Sequence, residues 1–151
     1  MDSGPLSARL GYLLKHTHLR YAAASARALA PLGLDGRELA VLAVLGAEVP
    51  LSQQDAAGLL GVDRTTMVAL VDALEAKRLA ERTRSPEDRR KNVVRLTPQG
   101  RELLVRAERV RVEAEARFLA PLAPAEADLF LRTLRTLGAG PEADGGEADG
   151  R

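Results

Sequence analysis

The sequence predicts a mainly α fold with one small β-hairpin, and three observations predict it. Apolar residues recur at spacings of three and four along most of the 151 residues, with capping signals between the runs. One segment, RTRSPEDRRKNVVRLTPQG (residues 82–100), switches instead to a short Val-rich alternation around a turn. Hydrophobic residues make up 46% of the chain but aromatics only 3%, so the core must be built from Leu, Val and Ala. Of these, Leu and Ala are strong helix formers. The length suits one domain or one compact protomer.

The first helix is expected from about residue 6 to 29. Leu6, Leu10, Leu13, Thr17, Tyr21, Ala24 and Ala28 form its stripe, Leu14 widens it, and Pro31 and Gly33 stop it. Asp35 and Glu38 have capping-box spacing and open a second helix, with Leu39, Leu42 and Leu45 buried and Pro50 closing the segment. Ser52 and Asp55 open a third, with Ala56, Leu59 and Leu60 inward, and Gly61 ends it in a left-handed turn. Asp63 caps a fourth, whose apolar face is Met67, Leu70, Val71 and Leu74. Two short helices joined by Leu-Gly-Val-Asp have the outline of a helix-turn-helix. A plain helical hairpin has the same outline.

Residues 79–84 and 91–97 read as two strands. Val94 and Leu96 share one side, and Ser85-Pro86-Glu87-Asp88 is turn chemistry, which puts the tip near 85–90. A hairpin directly after a helix-turn-helix is the plan of a winged helix. Thr97 caps a fifth helix with Pro98 at its first position, where a missing N–H costs nothing. Leu103, Ala107, Val110, Ala114 and Phe118 carry it to the break at Pro121–Pro124. A sixth helix holds Leu129, Phe130, Leu134 and Leu137, and the tail GAGPEADGGEADGR is expected to be disordered.

The charge is uneven. Residues 77–101 hold nine Lys/Arg against three acids, a local excess of six, on a chain whose total is +1. Such a block fits a polyanion-binding element, or a solvated charged loop. The preference for arginine over lysine reflects coding bias more than mechanism. With no cysteine, disulfides, thiolate zinc sites and thiol nucleophiles are excluded. No apolar run reaches the roughly 18 residues of a membrane span, and MDSGPLSARL lacks a signal-peptide pattern. The expectation is a soluble cytoplasmic protein with no membrane partner. Without a glycine-rich phosphate loop or a His-Glu-x-x-His pair, neither an enzyme nor a cofactor is expected.

A long helix with one apolar face cannot bury itself. The first, fifth and sixth helices therefore pack together and against a second copy, or else close a monomeric six-helix fold. On the first view, residues 1–34 are an N-terminal dimerisation helix and 35–97 a winged helix-turn-helix. Residues 98–137 are then C-terminal dimerisation helices, and 138–151 a disordered tail.

Residues 63–100, D-R-T-T-M-V-A-L-V-D-A-L-E-A-K-R-L-A-E-R…P-E-D-R-R…V-R-L-T-P-Q-G, resemble the MarR family of winged helix-turn-helix regulators. The motif is far more specific than a helix-turn-helix, and the helix order matches from about residue 6 to 137. The resemblance implies a homodimer that binds double-stranded DNA at a near-palindromic operator, commonly as a repressor. It also implies release by a small molecule, often an anionic aromatic.

Candidate DNA-binding residues follow. Helix 63–77 is the recognition helix, presenting Arg64, Thr65 and Thr66 to base edges or phosphates. The competing roles are capping for Thr66 and simple phosphate neutralisation for Arg64. Ser52 and Gln53 would touch the backbone. In the wing, 79–97, the resemblance pairs Asp88 with Arg90. Their spacing of two in an extended segment puts them on one side, with the acid holding the arginine toward the minor groove. Arg82, Arg84, Arg89 and Lys91 are phosphate ligands or, in part, charges that stabilise the hairpin.

Two positions depart from the family pattern. Ala69 replaces a residue that is often polar or basic. Arg78 stands where glycine usually ends the helix, so the turn there is expected to differ. They support an alternative: a helical dimer that acts through ligand or protein binding, with weak non-specific DNA affinity. For a ligand, Tyr12, His16 and Arg20 share one face of the first helix and are candidates to line a pocket, Arg20 meeting the anion. His16 and His18 point to different faces, which is poor geometry for a metal.

Overall fold

A computed structural model of the chain describes residues 4–47 and 51–139. In order, the chain forms α1 (Leu10–Leu29), α2 (Gly36–Leu45), α3 (Gln53–Leu60), α4 (Arg64–Ala76), β1 (Ala80–Arg84), β2 (Asn92–Leu96), α5 (Pro98–Leu119) and α6 (Pro124–Ala139). Two compact units result, divided between Glu115 and Ala116. Among the described residues, no helix is long and apolar enough to cross a membrane.

The helix starts obey their capping signals. Asp35 accepts from the Glu38 N–H (2.8 Å) while Glu38 accepts from the Asp35 N–H (3.0 Å). Ser52 and Asp55 repeat the box at α3, and Asp63 accepts from the Thr66 N–H (2.7 Å) at α4. Gly61 ends α3 at φ 63°. The first helix starts later than its apolar stripe suggests. Leu6 belongs to a separate 3-10 turn, Gly4–Leu6, where the Ser7 hydroxyl donates back to the Gly4 carbonyl, and no side chain caps α1 before Leu10. Pro50 and the tail from residue 140 lie outside the described residues, and residues 138–139, expected in the tail, continue α6.

The core of the first unit joins Leu39, Val41 and Leu42 of α2, Ala56 and Ala57 of α3, and Met67, Val71 and Leu74 of α4. Val94 and Leu96 close it from the hairpin, Leu29 from α1 and Ala107 from α5. The alternation expected in β2 holds, with Val94 and Leu96 both inward. Leu59 does not join the core: it is 69% exposed, and the smaller Ala57 takes the inward place. The second unit contributes α6, whose Leu129 and Leu137 are exposed.

The hairpin is antiparallel, pairing Ala80 with Leu96 and Arg84 with Asn92. Its free edge takes one more bridge, from Ser52 to Val93, which ties the start of α3 to the wing. At its neck, Arg78 adopts φ 59°, the left-handed turn that glycine favours, so the turn is kept despite the arginine. Thr97 then closes the neck: its hydroxyl donates to the Arg78 carbonyl (2.7 Å) and accepts from the Gly100 N–H (3.0 Å) as the cap of α5. Gly100 is required there because a Cβ would lie 2.0 Å from the Leu79 carbonyl oxygen.

Candidate nucleic-acid interface

One groove gathers residues from three elements. It holds about 580 Å³ and is lined by Ser52, Gln53 and Gln54 of the α3 start, by Arg64, Met67 and Val68 of α4, and by Lys91 and Asn92 of the wing. Four of the expected residues, Ser52, Gln53, Arg64 and Lys91, thus meet on one concave face. Gln54 and Asn92 join them, and nothing local in the sequence marks either one. Arg64 and Thr65 are exposed at the N-terminus of α4, where backbone N–H groups favour an anion. Thr66 is half-buried, and its N–H is taken up by the Asp63 cap. That hydrogen bond holds the Asp63 carboxyl below its usual range. Ala69 is exposed on the same helix and offers only a methyl group.

The wing tip is held by its backbone. Ser85 N–H donates to the Lys91 carbonyl (2.8 Å), and Lys91 N–H to the Asp88 carbonyl (3.0 Å). Residues 88–91 therefore turn, where an extended segment was expected. Asp88 accepts from the backbone N–H of Arg90 (3.0 Å), not from its guanidinium. The pairing exists, but it fixes the turn and leaves the arginine side chain exposed. Arg84, Arg89 and Lys91 are exposed as well.

Arg82 differs from the other wing cations. Its guanidinium pairs with Asp72 (2.7 Å) and Glu75 of α4, and its Nε donates to Gln53 Oε1 (3.3 Å) on α3. Its backbone N–H also donates to Glu75 (2.9 Å). Asp72 and Glu75 carry no sequence signal, because their partner sits on the next element, β1, beyond the reach of helix spacing.

A second concavity, about 780 Å³, lies between α1, α2 and α5 within the first unit. His18, Tyr21 and Ser25 line it from α1, Asp35, Arg37 and Leu39 from the start of α2, and Glu108 and Arg111 from α5. Tyr21 donates to Glu115 (3.2 Å), and burial together with that carboxylate pushes its phenol pKa up. Arg111 bridges Glu108 (2.8 Å) and Glu115 (2.6 Å), which hold its guanidinium protonated even more firmly than usual. Tyr12, His16 and Arg20 do not line this cleft. They lie on the other side of α1, where the Tyr12 and His16 rings stack at 4.0 Å. Among the described residues no cluster of side chains could hold a metal.

A family model described as the MarR family matches residues 32–91. The HTH-type transcriptional repressor Rv2887 of Mycobacterium tuberculosis is 34% identical over 131 residues, spanning 87% of this chain and 94% of that protein. Among solved structures, the transcriptional repressor CouR bound to a 23-mer DNA duplex is 37% identical with a TM-score of 0.86. The match covers 91% of this chain and 98% of that one. The PcaV regulator of Streptomyces coelicolor, in complex with its natural ligand, is 26% identical with a TM-score of 0.78, covering 94% of this chain and 100% of that one.

Proposed function

Because the chain belongs to the MarR family of transcriptional regulators, we propose that it is a homodimeric repressor that binds double-stranded DNA at a near-palindromic operator. The observation that carries this is the groove where Ser52, Gln53, Arg64 and Lys91 converge beside an exposed cationic wing tip. The start of α4 supplies base and phosphate contacts in the major groove, Arg90 reaches the adjacent minor groove and Arg89 meets phosphate. The likeness to CouR bound to duplex DNA supports the same reading. A mobility-shift series on duplexes from upstream of its own gene tests it. A salt-sensitive shift that Arg90→Ala weakens is expected. Wild-type binding by that variant, or no shift at all, would sink the proposal.

The second copy is supported by apolar residues that one chain leaves uncovered. Leu10, Leu13 and Leu14 of α1 are 68%, 47% and 46% exposed. A symmetric dimer would set two recognition helices one DNA turn apart, about 34 Å.

The cleft between α1, α2 and α5 suits a small anionic aromatic ligand that releases DNA. Arg37 offers a cation, Arg111 being already held by Glu108 and Glu115, and Leu39 and the alanines of α1 and α2 offer apolar walls. His18 and Tyr21 would meet the ligand in place of Tyr12, His16 and Arg20. Calorimetric titration with a panel of aromatic carboxylates tests this. Binding that is lost in Arg37→Ala supports the site, and undiminished binding by that variant removes it.

A further inference from the structure

The structure assigns to Arg82 a positioning role: it turns the Gln53 side-chain amide into a hydrogen-bond donor aimed at DNA, and does not itself contact phosphate. This rests on the DNA-binding reading above.

All three nitrogens of the Arg82 guanidinium are already engaged. Nη2 meets Asp72, Nη1 meets Glu75, and Nε meets Gln53. Two carboxylates on one guanidinium leave the cluster net negative, so a phosphate brought to it would be repelled rather than bound. Its side chain is only 21% exposed. Arg82 is thus spent on joining three elements, β1, α3 and α4, and is unlike its exposed neighbours Arg84, Arg89 and Arg90.

The consequence falls on Gln53. A glutamine amide has one accepting and one donating end, and a guanidinium can only donate. Contact with Arg82 Nε therefore commits the Gln53 oxygen inward, and the NH2 group becomes the free end. Among the described residues nothing accepts from that NH2. Gln53 lines the groove beside Ser52, Arg64 and Lys91, so the free end is available to a phosphate or base acceptor there. Without Arg82 the amide could present either end, and an oxygen turned toward phosphate would be repulsive. The brace also holds β1 to α4, so wing and recognition helix approach DNA in one fixed relation.

The test uses fluorescence anisotropy with a labelled operator duplex over a salt series. Arg82→Met is expected to weaken binding about tenfold, the loss of one well-placed hydrogen bond and its orientation, with the salt slope unchanged. Arg89→Ala, a phosphate ligand, should lower the slope by about 0.9. In the wild-type background Gln53→Ala should also cost about tenfold. In the Arg82→Met background it should cost nothing further, since the amide is no longer oriented. A purely structural Arg82 would leave the Gln53→Ala penalty equal in both backgrounds, and that result overturns the inference. So does a slope that falls by about 0.9 in Arg82→Met.

Should Arg82→Met not fold, Asp72→Ala/Glu75→Ala keeps the cation and removes its partners. Weaker binding supports positioning, and a salt slope steeper by about 0.9 shows a freed phosphate ligand and overturns it. Wild-type protein that fails to bind any duplex refutes the DNA-binding reading itself, and is separable from these outcomes because it needs no variant.

Discussion

Arg78 sits in a backbone conformation that its own Cβ resists, with φ at 59°. A left-handed non-glycine residue carries roughly 1–2 kcal/mol of steric strain, part of which a glycine would return as lost chain entropy. Arg78→Gly is therefore expected to stabilise the fold by about 0.5–1 kcal/mol, measured by urea denaturation. Gly100 is the opposite case. A methyl group there meets a carbonyl oxygen at 2.0 Å, and both sides are backbone. Gly100→Ala should destabilise by about 1–3 kcal/mol or shift the start of α5, seen as a lower melting temperature. Arg78 was legible in the sequence as a residue at odds with a helix-ending turn. The turn persists because Leu79, next in the chain, must enter the core and receive the Thr97 N–H (3.1 Å). The reason for Gly100 was not legible, because its neighbour Leu79 is distant in sequence and the contact is tertiary.

At the scale of the element, local signals are legible in the sequence and cross-element ones are not. Both capping boxes and the Asp63 cap are formed within four residues, so the sequence holds all their parts. Leu59 was misplaced because α3 has only 8 residues, too few turns for periodicity to separate Leu59 from Ala57. At the wing tip, spacing suggested a side-chain pair, whereas the turn at 88–91 let the Asp88 carboxylate reach a nearer backbone donor. It follows that Asp88→Asn, which keeps an acceptor oxygen, should retain most of the DNA affinity, while Asp88→Ala should weaken binding by loosening the turn. Mobility shifts of the two variants decide it, and equal losses would point to the charge instead. Asp63 gives α4 a pH dependence. Its folded pKa is depressed, so its stabilisation is present above the ordinary carboxylate range and is lost as pH falls through the depressed value. Asp63→Asn should therefore flatten the acid side of the melting profile and leave neutral pH little changed.

At the scale of the whole chain, the charge block and the order of helices are visible in sequence. The cleft residues were not, because which side of α1 faces inward depends on α2 and α5 rather than on its own stripe. The α1 leucines that one chain leaves bare were expected to be covered by dimerisation, and Leu10→Glu with Leu14→Glu should drive the protein to monomer in sedimentation velocity. For such a chain, concentration becomes a variable of folding. If assembly covers those leucines, each tenfold dilution removes about 1.4 kcal/mol per mole of dimer from the stability of the assembled state. The melting temperature should then climb with protein concentration, and a sparse cell would hold a regulator that is not only scarce but also less well folded.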